Sequence, residues 1–210
     1  MQLVGKLIIK SKDRIIHFLN EENTGRISSI DKDGFPQIIP MNFVFLNNSV
    51  YMHSHIRGEK IENIKRNSKV GFEVDRSLEF LPSYFSDPED ASLADTLYIS
   101  VIIKGEANLV EDKKEKVLAL NGLMKKYQPE GRYNPLREDM DVLDATAVIK
   151  VIPKEMNGKY KIGQNLSKHE KMELAIKIID KNSKTAKETV EIMGFMIEDG
   201  KLVMKGDVEW

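Results

Sequence analysis

The chain has 210 residues, 41% of them hydrophobic, which is enough to close a core without covalent staples. Its 32 basic and 33 acidic residues are mixed along the whole length, so at a net charge of -1 no basic face for nucleic acid stands out. Cysteine is absent, which excludes disulfides, thiolate metal sites and a thiol nucleophile, and agrees with a reducing compartment. The opening residues are too few and too charged for a signal peptide and no apolar run approaches a membrane span, so a cytoplasmic protein with no membrane partner is expected.

Taken in order, residues 11–22 read as a helix with Ile15, Ile16, Phe18 and Leu19 on its buried side. Four strands follow: Thr24 to Asp31, turning at Asp31-Lys32-Asp33-Gly34; Pro36 to Leu46, turning at Asn47-Asn48; Ser49 to Ser54; and Lys69 to Val74. Two tight turns predict that the first three form an antiparallel meander. Residues 75–95, with Pro82, Pro88, acids and aromatics, read as an excursion loop that packs through Phe80, Tyr84 and Phe85. Thr96 to Val110 is the longest strand, with a bend or bulge expected at Gly105. Residues 111–127 form an amphipathic helix, with Val117, Leu118, Leu120 and Leu123 on or near its buried side, and Ala145 to Ile152 returns as a strand ending at Pro153. Two further helices are expected over 167–179 and 183–193. The sum is an α+β, mainly β barrel of six or seven mostly antiparallel strands, with helices at the ends and corners.

The chemistry converges on residues 51–64. Tyr51, His53 and His55 share one strand face and Val50 and Met52 the other, and from Gly58 the period changes to that of a helix carrying Ile61 and Ile64. A strand-to-helix turn with Ser54, Gly58 and Lys60 offers open backbone N–H groups and an ammonium to one point, which suits a phosphate. Taken alone, Lys60 reads as a solvated lysine, and it is its coincidence with Ser54 and Gly58 around one turn that favours phosphate. His53 and His55 read as structural histidines or ligand contacts. A metal needs a third ligand, and neither His17 on the first helix nor the distant His169 supplies an obvious one, so no metal is expected. Pro40 within a strand implies an edge or irregular position with backbone groups left free.

The blocks Thr24-Gly25-Arg26-Ile27-Ser28-Ser29-Ile30, Pro36 to Phe45, Tyr51-Met52-His53-Ser54-His55 with Gly58 and Lys60, Val70-Gly71-Phe72-Glu73-Val74, and Tyr98 to Val110 together resemble a known family. It is the pyridoxamine 5'-phosphate oxidase-like split barrels, in the flavin-nucleotide-binding branch that includes the nitroimidazole-resistance (Nim-type) proteins. The resemblance covers roughly residues 11–152 and rests on the order and spacing of the blocks.

It implies a six-stranded antiparallel split β-barrel over residues 1–155 and a helical C-terminal extension over 156–210, packed on the barrel or on a partner subunit. It also implies a homodimer with FMN at the subunit interface. The strand carrying Pro40, Met41 and Asn42 would run beside the isoalloxazine ring, and the positions of His53, Ser54, His55, Gly58 and Lys60 would hold the ribityl chain and phosphate. Gln164 and Asn165 fall in a segment similar to a Lys-x-Ser-Gln-Asn run of some relatives. His55 departs from the family, many of whose members have a small residue there. The function implied is an FMN-dependent oxidoreductase acting on a small organic acceptor, with His53 as the candidate catalytic residue. The alternatives are a flavin carrier without turnover, or a split barrel using haem or a deazaflavin.

Overall fold

The computed structural model describes residues 5–205. In chain order the elements are β1 (Ile8–Ile9), α1 (Lys12–Glu21), β2 (Thr24–Ile30), β3 (Pro36–Asn42), β4 (Val44–Leu46), β5 (Ser49–His55), α2 (Glu59–Arg66), β6 (Lys69–Leu81) and β7 (Asp95–Leu109). They continue with α3 (Lys113–Tyr127), α4 (Val142–Ala145), β8 (Thr146–Lys161), α5 (Lys168–Lys181), α6 (Ala186–Ile192), β9 (Phe195–Glu198) and β10 (Lys201–Met204). One sheet runs in the order β3-β2-β6-β7-β8-β5-β4, with β1 also paired to β8, and β9 with β10 forms a separate hairpin. The fold is α+β and mainly β, as expected. No helix among the described residues is long and apolar enough to cross a membrane.

The chain divides into two compact units, one of residues 12–74 and 101–157, the other of residues 5–11, 75–100 and 158–205. In the first, β3 lies at one edge of the sheet and β4 at the other, with only Phe43 between them in sequence. A one-residue link cannot span a flat sheet, so the sheet has to roll until its edges meet, which is a barrel seam.

Phe43 is fully buried and packs edge to face on Phe72, ring centroids 5.1 Å apart. Residues 36–46 are therefore not one continuous strand: the expected meander is interrupted at Phe43, and its two antiparallel hairpins, β2–β3 and β4–β5, fall at opposite edges of the sheet. β3 pairs with β2, from Thr24↔Asn42 to Ile30↔Pro36, whereas β5 pairs with β4 and β8. The two tight turns are present. Asp31 Oδ1 accepts from the amides of Asp33 (2.9 Å) and Phe35 (2.8 Å), and Asn47 and Asn48 both take the positive φ values (49° and 57°) that a two-residue hairpin requires. Counting β3 and β4 as one interrupted strand leaves the six expected barrel strands, with β1 added.

The barrel core includes Ile27, Val50, Met52, Phe72, Val74, Val101, Ile103 and Ile149, all essentially inaccessible, each contributing about 1.5 to 3 kcal/mol of transfer free energy for its larger side chains. A second cluster, Val44, Tyr51, Val110, Ala119, Leu120, Leu123, Leu143 and Val148, lies beneath α3. Leu118, expected on or near the buried side of that helix, is exposed. Gly105 causes no interruption of β7. Its role is close approach, since a Cβ there would stand 2.6 Å from the carbonyl oxygen of Ile152.

Two strands run past their expected ends. β6 continues from Val74 to Leu81, so the segment expected to leave the fold at residue 75 stays extended. Its polar residues find partners far along the chain: Arg76 pairs with Glu188 at 2.9 Å, and Glu79, only 3% exposed, accepts from Lys181 (2.7 Å) and Thr185 (2.8 Å). β8 passes through Pro153 to Lys161. Its register with β5 ends at Val151 and that with β1 begins at Gly158, so the missing N–H of Pro153 falls where no ladder bond is lost on that side.

In the second unit, α5 begins with a capping box between Ser167 and Glu170, and α6 follows. The C-terminal part is not wholly helical. Phe195–Glu198 and Lys201–Met204 make a hairpin about Asp199 and Gly200, both at positive φ.

Candidate functional site

The strand-to-helix turn in the barrel unit leaves backbone N–H groups open. Gly58 takes φ 136°, a conformation that L side chains rarely adopt, and no side chain caps α2. The Gly58 carbonyl accepts from the amides of Ile61 (3.0 Å) and Glu62 (3.2 Å), which leaves the N–H groups of Glu59 and Lys60 at the open end of the helix.

Helix α2 is bolted to the barrel by Asn63, which is buried. Its Nδ2 donates to Gln37 Oε1 (3.3 Å) and Ser29 Oγ (3.4 Å), and its Oδ1 accepts from Arg66 (2.8 Å), which also donates to the Ile30 carbonyl (2.7 Å). Gln37 Nε2 in turn donates to Glu59 at 2.5 Å, drawing that carboxylate toward β3.

Lys60 is half-buried. Its ammonium donates to Met41 Sδ at 3.1 Å, and among the described residues no carboxylate neutralises it. Burial pushes its pKa below the ordinary lysine value. A thioether is a weak acceptor, so this ammonium has given up water without receiving a countercharge. Beside it, β3 is an edge strand on which Pro36, Ile38, Pro40 and Asn42 are exposed and Gln37, Ile39 and Met41 partly so. The edge position explains how Pro40 fits in a strand.

Strand parity divides the remaining candidates. Ser54 has the parity of Val50 and Met52, whereas His53 and His55 have that of Tyr51, whose ring is buried under α3. His53 lies across from Val148 and His55 from Thr146, and both imidazoles are exposed. His55 accepts at Nδ1 from the Arg57 amide (3.1 Å), which puts the proton of a neutral ring on Nε2. Among the described residues no group of three or more His, Asp or Glu side chains could hold a metal ion.

The structure thus brings Met41 and Lys60 into contact, with Ser54 and Gly58 in the same connection, and sets His53 and His55 on the other face of β5. Gln164 and Asn165 belong to the second unit. The Gln164 carboxamide is engaged there, accepting from the Ile162 amide (2.9 Å) and donating to the carbonyls of Lys6 (3.0 Å) and Tyr160 (3.1 Å).

Sequence reasoning missed the supporting residues. Gln37 and Asn63 position α2, and Tyr51, Glu115 and Lys150 form a charged triad beside the histidine face. Tyr51 donates to Glu115 Oε1 (2.7 Å), as does Lys150 (2.7 Å), its cross-strand neighbour. Burial raises the Tyr51 pKa, the Lys150 hydrogen bond lowers that of Glu115, and Glu115 raises that of Lys150. The one available signal was the placement of Asn63 between Ile61 and Ile64 on a helix face that the core covers.

A mainly antiparallel sheet rolled until β3 and β4 meet, with a strand–glycine–helix turn after β5, defines a split barrel as the class. The sequence profile of the family described as pyridoxamine 5'-phosphate oxidase matches residues 11–160, and the chain belongs to that family. Among solved structures, a candidate 5-nitroimidazole antibiotic resistance protein from Bacteroides thetaiotaomicron is 25% identical, with a TM-score of 0.62, covering 73% of this chain and 86% of its own. A flavocytochrome from Azotobacter vinelandii is 18% identical (TM-score 0.63; 74% of this chain and 69% of its own). An FAD and haem binding protein from Mycobacterium smegmatis is also 18% identical (TM-score 0.60; 72% and 71%). The last two speak for the fold alone. No curated protein sequence matches this chain.

Proposed function

We propose that the protein is a flavoprotein that binds FMN, and that it reduces a small organic acceptor. The observation that carries the reading is Lys60, a desolvated ammonium with a thioether for a partner, set at the open N-terminus of α2. That arrangement suits a dianion. The N–H groups of Glu59 and Lys60 and the Lys60 ammonium would hold the phosphate, with Ser54 and Gly58 in the same turn. One phosphate-sized seat favours FMN over FAD or riboflavin. Family membership and the flavin-binding relatives support the same choice of cofactor class.

Bound flavin would supply the electron pair for the reduction. The chain's own contribution would be to lay the exposed edge of β3, from Pro40 to Asn42, against the ring system, and to offer the His53 imidazole as proton donor to the reduced acceptor. Phe35 and Ile38, 69% and 63% exposed on and beside the same edge, support a homodimer that covers this surface and the cofactor with it.

The test is an absorption spectrum of the purified protein, followed by heat release of the cofactor and comparison with FMN, FAD and riboflavin. Stoichiometric FMN is expected. A Soret band, or stoichiometric FAD, overturns the reading. Bound FMN that no reductant and acceptor can cycle would leave a flavin carrier.

A further inference from the structure

The second unit contains a cavity of about 330 Å³ between the ends of β6, β7 and β8, the 3₁₀ turn Ser83–Phe85 and α5. Pockets that take small molecules begin at about this size. Its wall is about half apolar, with Leu81, Phe85, Leu97, Leu166 and Leu174 among the lining residues, and half polar. The lining belongs to residues 81–97 and 161–177, entirely within this unit, and shares no residue with the turn proposed to hold phosphate.

The charged groups on the wall are mostly committed. Lys161 is paired with Asp95 at 2.6 Å, Lys177 donates to the Phe85 carbonyl, and Glu170 accepts from the Ser167 amide (2.8 Å) in the capping box. Glu173 lies at the rim, 3.5 Å from His169. A charged ligand would have to break one of these pairs or enter without a countercharge, and both are costly. Two neutral lining groups, the Ser86 hydroxyl and the Asn165 carboxamide, have no side-chain partner among the described residues. A carboxamide presents a donor and an acceptor side by side, so it recognises a group with the complementary pair.

We infer that this cavity is a second small-molecule site, which takes an uncharged aromatic or heteroaromatic compound with an amide-like donor–acceptor edge. Its ring would lie against Leu97, Leu166, Leu174 and Phe85, and its polar edge would meet Asn165 and Ser86. The inference does not depend on the flavin reading.

Benzamide, benzoate and benzylamine share one ring and differ in charge, so they serve as probes of the full-length protein by ligand-observed NMR and by amide shifts in the labelled chain. Benzamide should bind saturably and shift the amides of Ser86, Gly163, Asn165 and Leu166, with benzoate and benzylamine at least about tenfold weaker. Asn165→Leu, at an exposed position with little bearing on stability, should weaken benzamide by about tenfold at an unchanged melting temperature. Leu174→Trp should fill the cavity and abolish the shifts. The inference fails if benzamide does not saturate, if a charged probe is preferred, if the shifts fall elsewhere, or if Asn165→Leu and Leu174→Trp both bind as the natural chain does.

Discussion

The Tyr127 hydroxyl satisfies the backbone of Phe43, accepting from its amide at 2.8 Å and standing 3.0 Å from its carbonyl oxygen. The same hydroxyl lies 2.5 Å from the Asn23 carbonyl. At Phe43 the chain leaves one sheet edge for the other, so neither ladder can serve these groups, and the last turn of α3 serves them instead. Tyr127→Phe removes the hydroxyl and little else, leaving a buried amide without a partner. The expected loss of stability is about 1 to 3 kcal/mol, read by denaturant unfolding; a loss of only a few tenths would mean that water replaces the hydroxyl.

Lys126, next in sequence, holds its ammonium 3.8 Å above the Phe43 ring and donates to the Leu19 carbonyl at 2.9 Å. Burial pushes its pKa down from the usual 10.5 to about 8. Between these two values the unfolded chain keeps a proton that the folded chain has released, so this group makes stability rise with pH from about 8 to about 10.5, and its penalty is fully present below 8. Comparing the stability–pH profile with that of Lys126→Met isolates the effect. Identical slopes in that window would show that the ring and the carbonyl hold the proton on.

For the proposed FMN site, Lys60→Ala should weaken FMN by roughly tenfold to over a hundredfold, the cost of about 1.5 to 3 kcal/mol for a charge-assisted contact to a dianion. Fluorescence titration of the apoprotein measures it. Unchanged affinity would place the phosphate away from α2.

His53→Gln keeps size and polarity and removes the imidazole. Turnover should fall while FMN stays bound. If the variant loses FMN but keeps full activity at saturating flavin, the imidazole is a cofactor contact and the proton has another source.

Ile38→Asp places a charge on the exposed edge of β3, where the folded single chain tolerates it. Light scattering should report a dimer for the natural chain and a shift toward 24.0 kDa for the variant. A natural chain that already scatters as a monomer removes the dimer from the proposal.

Local chemistry was legible in the sequence and distant partnership was not. Gly58, Lys60 and the change of period after His55 identified the strand–turn–helix, and Asn47-Asn48 identified a hairpin, because each is decided within a few residues. The break at Phe43 was hidden, since Asn42, Phe43 and Val44 continue a good strand pattern and only the Tyr127 hydroxyl, 84 residues on, makes the change of edge affordable. The extension of β6 was hidden for the same reason: Asp75, Arg76 and Glu79 look like loop residues until Glu188 and Lys181 are set beside them. Parity also placed Ser54 opposite His53 and His55, a division that follows from the alternation of the strand itself.

The single-residue joint has a bearing on how such a chain can vary in length. The turn at Asp31 to Phe35 lies on the surface and can absorb an added residue with little consequence. At Phe43 an insertion has nowhere to go. It would either bulge into the aromatic pair with Phe72 or advance β4 by one place against β5, exchanging the surroundings of Val44 and Phe45, both now buried. Insertions and deletions in related sequences should therefore cluster at the two hairpin turns and leave the spacing from Asn42 to Val44 constant, which gives an alignment of this region a fixed point that does not depend on residue identity.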